Sequence, residues 1–278
     1  MIRLLVLPAT LLVLALMVAP LLVLARYSLN IFSPTELMIA AVTPENYRLA
    51  VADPYYRGIM GTTLQVAALC TGLSLVTAFP AAYALARMTG RWKSVLVLLT
   101  VFPLMVGNVV RAAGWMILLG NDGVANAVLG ALGLTKGPVQ LIYTPGAVVA
   151  GIVTVVLPYM ILTLAAVIEA IPRSAEEAAA NLGARPITVF RRVVLPLALP
   201  GVAAGSALVF ILCMNAYATP VLLGGSQFKM MAPAIYEQFV RATNWPFGAA
   251  LAFILLAVTL TLTLAGSALL ARGGRRVA

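Results

Sequence analysis

The sequence contains no histidine, two cysteines and eight acidic residues in 278 positions. Without histidine, a Ser-His-Asp triad and histidine metal ligation are both excluded. Cys70 and Cys213 each sit inside an apolar run, which reads as two small buried thiols rather than a disulfide or a metal site. Charge is scarce altogether. Only 9% of residues are charged, against about 25% in an ordinary soluble domain, while 63% are hydrophobic. One water-soluble core of this size cannot hide that much apolar surface, so the expected solvent is lipid and the expected organisation a single integral membrane domain over 1–278. Nor is there a phosphate-binding loop: none of the three lysines, Lys93, Lys136 and Lys229, completes a G-x-x-x-x-G-K-S/T pattern. The net charge of +10 lies between apolar runs and does not alternate with exposed aromatics. That distribution points to membrane lipid as the partner and not to nucleic acid.

What is abundant is long apolar sequence. A helix crosses the hydrocarbon in about 20 residues, and six stretches qualify: 4–25, 59–86, 94–119, 145–168, 199–218 and 249–271. None shows the alternation of a membrane barrel, so the expected fold class is all-α with six transmembrane helices. The first stretch is longer than the signal-peptide core of about 7–15 residues and is expected to be a retained span. Basic residues set the orientation. One set of segments holds Arg3; Arg87, Arg91 and Lys93; Arg173, Arg185, Arg191 and Arg192; and Arg272, Arg275 and Arg276. The other holds Arg26, Arg48, Arg57, Lys136, Lys229 and Arg241. The excess predicts both termini in the cytoplasm. Of the outer segments, 26–58 is punctuated by Pro34, Pro44 and Pro54, with a short interfacial helix expected around 44–52; 120–144 reads as loop, partly re-entrant.

The cytoplasmic segment 171–196, IPRSAEEAAANLGARPITVFRRVVLP, reads as a short helix, a tight turn and a second short helix. Ser174 followed by Glu177 fits a capping box, and residues 175–182 are strong helix formers. Gly183 stands where a helix needs a left-handed terminating residue. Pro186 suits the first turn of the next helix, and Leu195-Pro196 is expected to end it. Composition alone also allows an amphipathic connector lying on the headgroups through Arg191 and Arg192.

Spacing favours a more specific reading. Glu177-Ala178-Ala179, three residues, Gly183, nine residues, Val193, one residue and Leu195-Pro196 resemble the EAA motif of binding-protein-dependent ABC importer permeases, departing only where Val193 replaces isoleucine. The resemblance implies a coupling helix that docks into a groove of an ATPase subunit, with Glu177, Ala178, Ala179, Gly183, Leu195 and Pro196 serving that contact. Residues 103–126, 190–201 and 244–250 are further similar to spermidine/putrescine-type permeases, most closely the first (B-type) of the two permeases in such importers. By this resemblance a second permease completes the pathway. Two ATPases bind the ATP and Mg, this chain carries no cofactor, and an extracytoplasmic receptor delivers cargo at a bacterial inner membrane. The same broad family includes importers of iron, thiamine, phosphonates and opines.

Arg111 is the one formal charge well inside a predicted span, where arginine costs about 2.5–3.5 kcal/mol and tends to face a cavity or a partner. Asn108 and Trp115 lie three residues before and four after it, on one helical stripe. The three together suggest a lined pathway; snorkelling or a helix cap is the alternative for Arg111. Asn215 and Thr219 form a second i, i+4 polar pair with Tyr217 nearby, a pattern that interhelical hydrogen bonds would also explain. Gly201 and Gly205 suggest close helix packing. No predicted span contains an acidic residue. A polyamine would then have to find its carboxylates in a partner, or the cargo is anionic or zwitterionic. An ion-coupled carrier, the competing reading, would call for inverted repeats and buried titratable groups, and the chain shows neither. A membrane enzyme would need a converging constellation, for which the sequence offers no candidates.

Overall fold

The computed structural model describes residues 2–274. Arg275 and Arg276, counted above among the inward-facing basic residues, lie outside the described residues. In chain order the elements are α1 (Ile2–Ser28), β1 (Ile31–Ser33), β2 (Leu37–Ile39), α2 (Glu45–Ala52), α3 (Pro54–Arg87), α4 (Arg91–Met105), α5 (Asn108–Leu119), α6 (Val124–Ala131) and α7 (Pro145–Glu169). There follow α8 (Arg173–Asn181), α9 (Pro186–Val189), a π-helical turn over Phe190–Val194, α10 (Leu195–Leu197), α11 (Leu199–Met214), α12 (Ala218–Leu223), α13 (Met231–Val240) and α14 (Trp245–Gly274). The only strands among the described residues form a small antiparallel hairpin, pairing Ile31 with Ile39 and Ser33 with Leu37.

Four helical stretches are long and apolar enough to cross a membrane by themselves: Thr10–Ser28, Pro54–Arg87, Pro145–Glu169 and Trp245–Ala268. The other two predicted spans are broken. Over 94–119 the helix stops at Met105 and restarts at Asn108, with a bend of 94°. Pro103 sits in the last turn of α4, and the ladder ends because Val106 and Gly107 adopt extended backbone. Over 199–218 the helix ends at Met214, and Thr219 belongs to the separate helix α12. Asn215 and Thr219 are therefore not an i, i+4 pair on one helix, contrary to the spacing argument.

The described residues divide into two compact units, 2–61 with 231–258, and 62–230 with 259–274. In the first, Asn46 Nδ2 donates to the carbonyls of Ser28 and Asn30, both at 2.8 Å, which closes the segment after α1 onto α2. Tyr56 packs edge-on against Phe247 at 4.9 Å and its hydroxyl accepts from Gln238 Nε2 at 3.1 Å. The apolar side chains of α1 from Leu11 to Val18 are exposed, which in water would be a large liability and in lipid is not.

In the second unit, α7 and α11 pack face to face around Ile152, Val156, Met160 and Leu164 of α7 and Val202 and Val209 of α11, all buried. The expected glycine contact is there: a Cβ at Gly201 would lie 2.7 Å from Val167 Cβ. Cys70 and Cys213 are both fully buried.

Candidate functional site

The two helix breaks face one cavity of about 300 Å³ in the second unit. It is lined by Asn108 and Arg111 from α5, by Tyr159 from α7, and by Asn215, Tyr217 and Thr219 at the α11–α12 break. Five of the six pathway candidates thus converge, although they come from two separate stretches of sequence. The sixth does not. Trp115 donates its indole N–H to Thr154 Oγ1 of α7 at 3.1 Å and so fastens α5 to α7. The break that spoils the helical spacing of Asn215 and Thr219 is what brings both to the cavity. Asn215 caps α11, its Nδ2 donating to Ile211 O at 2.9 Å. Gly151 of α7 lets α12 come close, since a Cβ there would lie 2.6 Å from Thr219 Cγ2.

Arg111 reaches back across the first break. Its Nη2 donates to Pro103 O and, at 3.0 Å, to Val106 O. These carbonyls belong to the terminus of α4, the negative end of a helix dipole, where a cation is favoured. Arg111 therefore both caps the broken span and lines the cavity. Its Nη1 is buried with no hydrogen-bond partner. No lining residue is acidic.

The second cluster is the elbow over 171–196. The helix begins two residues earlier than the capping box required: Pro172 occupies the N-cap, and Ser174 makes no cap bond. Pro172 enters with extended backbone (ψ 131°), so the helix can start at Arg173 and Ser174 falls inside its first turn. The far end agrees with the sequence reading. Gly183 has φ +83°, and its N–H bonds Ala180 O at 2.9 Å while Ala184 N–H bonds Ala179 O at 3.1 Å, a Schellman closure. Pro186 lies in the first turn of α9, as expected. Leu195-Pro196 does not end the helix. Pro196 cannot bond Arg192 O and its ring would crowd that carbonyl, so the chain widens into a π turn in which Leu195 N–H bonds Phe190 O. Helix resumes through Leu197, and the bend of 67° comes at Ala198.

Glu177 and Ala178 are exposed and Ala179 is half-buried; Leu182 is 90% and Ile187 62% exposed. Together they form a helical knob with an apolar rim.

The sequence from 3 to 277 matches the family described as the inner membrane component of binding-protein-dependent transport systems. The chain belongs to this family. It is 33% identical over 216 residues (78% of each chain) to the spermidine/putrescine transport system permease protein PotB of Escherichia coli K12. With PotB of Haemophilus influenzae the identity is 32% over 209 residues, covering 75% of this chain and 73% of that one. Its fold is that of a chain in the crystal structure of a bacterial alginate ABC transporter in complex with an alginate pentasaccharide-bound periplasmic protein, with a TM-score of 0.79, 15% identity, and coverage of 95% of this chain and 92% of that one. An all-α inner membrane permease component of an ABC importer is thus established.

Within this permease, two groups escaped sequence reasoning. Tyr159, following Pro158 in an apolar run, could have been noticed as a tyrosine at mid-span. Glu176 could not: the motif draws attention to its neighbour Glu177, and only the fold brings Tyr83 and Arg87 to it.

Proposed function

We propose that this permease forms half of the translocation pathway for a polyamine of the spermidine/putrescine type, and that its elbow docks into a separate ATP-hydrolysing subunit. Hydrolysis belongs to that subunit, which holds the ATP and Mg; this chain supplies no catalytic group. Two such ATPases, a second permease and an extracytoplasmic receptor complete the importer. The whole chain acts as one permease domain, each bent helix pair counts as one span, and both termini lie in the cytoplasm. The observation that carries this reading is the elbow: a short helix with a fixed glycine stop and an uncovered knob of Glu177, Ala178 and Leu182. Rigid closure and exposed apolar side chains suit a partner that grips and moves it.

The substrate class rests on the PotB relatives, and the cavity is compatible with a cation. Arg111 directs its guanidinium to the carbonyl end of α4, so much of its charge is compensated within the chain. Tyr159, Tyr217, Asn108 and Asn215 offer aromatic faces and amide oxygens to an ammonium group. A second reading, a cargo with a carboxylate, is favoured by the unpartnered Arg111 Nη1 and by the absence of acids from the lining. Reconstitution of the complete importer in vesicles separates these readings. Spermidine uptake should require ATP and persist when ion gradients are collapsed. Uptake driven by an ion gradient without ATP would contradict the importer reading, and uptake of carboxylates in preference to polyamines would favour the second cargo class.

A further inference from the structure

Of the two adjacent glutamates in the elbow, Glu177 faces outward and Glu176 faces the chain. Glu176 Oε2 accepts from the Tyr83 hydroxyl at 2.6 Å, and Oε1 pairs with Arg87 Nη2, each charged side chain only 15% exposed. Arg173, at the start of α8, donates Nη2 to Arg87 O at 2.7 Å. From the second half of the elbow, Phe190 lies edge-on to Phe79 at 5.1 Å and to Tyr83 at 6.2 Å. The Arg87 guanidinium sits 6.0 Å from the Tyr83 ring centroid. All of these contacts end on Phe79, Tyr83 and Arg87, successive i+4 positions that form one stripe on the last turns of α3. Both arms of the elbow are therefore fastened to the same stripe of the second span, one by an ion pair and the other by an aromatic wedge. A second ion pair nearby, Lys93 with Glu169 at 2.6 Å, joins α4 to α7 and is more exposed.

We propose that Glu176 is a positioning residue that ties the elbow to the second span, so that displacement of the knob is delivered to α3 through Tyr83 and Arg87. This rests on the reading that an ATPase grips the knob. The geometry separates the two tasks: the outer face of α8 is free for a partner, while the inner face holds the receiver of the motion. Removing one member of a poorly solvated pair leaves the other charge uncompensated. Glu176→Gln should therefore loosen the tie without altering the docking face.

The test uses the assembled importer in vesicles and reads cargo transported per ATP hydrolysed, alongside crosslinking of Ala178→Cys to the ATPase. With Glu176→Gln, crosslinking and ATP hydrolysis should persist while transport per ATP falls about tenfold. The exchanged pair Glu176→Arg with Arg87→Glu should recover a substantial part. Tyr83→Phe, which removes one hydroxyl and keeps the ring, should lower transport per ATP about threefold and serves if the charge variants fail to assemble. Wild-type transport per ATP in both Glu176→Gln and Tyr83→Phe would overturn the proposal, as would crosslinking lost in Glu176→Gln but present in the parent, which would place Glu176 in docking. Absence of crosslinking in the parent itself would instead strike at the docking reading.

Discussion

Gly183 holds its backbone at φ +83° in open space: a Cβ there would meet nothing within 4 Å. The residue is thus constrained by conformation and not by crowding. A β-branched side chain in the left-handed region costs about 1–2 kcal/mol, enough to reopen the Schellman turn while leaving the spans intact. Gly183→Val should reach the membrane at parental levels and lose transport, and Gly183→Asn, which tolerates this backbone, should retain more. Immunoblots of the membrane fraction and cargo uptake check both, and parental uptake in Gly183→Val would contradict the assignment. This residue was legible from sequence because the requirement is local: a helix former run, a glycine, then a proline. Arg111 was only half legible. Its burial cost announced a partner, but the partners are the carbonyls of Pro103 and Val106, exposed by a break that the apolar run conceals.

At the scale of elements, prolines shape the helices without stopping them. Pro103 lies in the last turn before a break and Pro196 follows a π turn; Pro200 opens α11 within its first turn. Hydropathy registers the length of an apolar stretch and is blind to whether its backbone ladder continues, which is why two of six spans were drawn straight. The same blindness made Asn215 and Thr219 look like one helical face when they flank a corner. The broken third span depends on its cap. Arg111→Met keeps the apolar stem and removes the donors to the end of α4, at a cost of about 1.5–3 kcal/mol for hydrogen bonds to a charged group. The purified importer should show a lower thermal midpoint for Arg111→Met than for Arg111→Lys. Equal midpoints for Arg111→Met and the parent would argue that the cap carries no weight.

For the molecule as a whole, five members of a sparse charge inventory stand at the cavity or join helices near the elbow. Arg111 stands at the cavity; Arg87 and Glu176 join the elbow to α3; Lys93 and Glu169 join α4 to α7. Under the proposed function, the elbow of this ABC importer permease is the link between a nucleotide-driven partner and the cavity. The most direct test places a single cysteine at Ala178, in a chain whose Cys70 and Cys213 are replaced, and asks which protein it reaches in native membranes. A crosslink to the ATPase that strengthens when ATP is bound is the predicted result. A cysteine at Ala178 that never reaches that subunit, or that is labelled by an impermeant thiol reagent from outside the cell, would contradict the account.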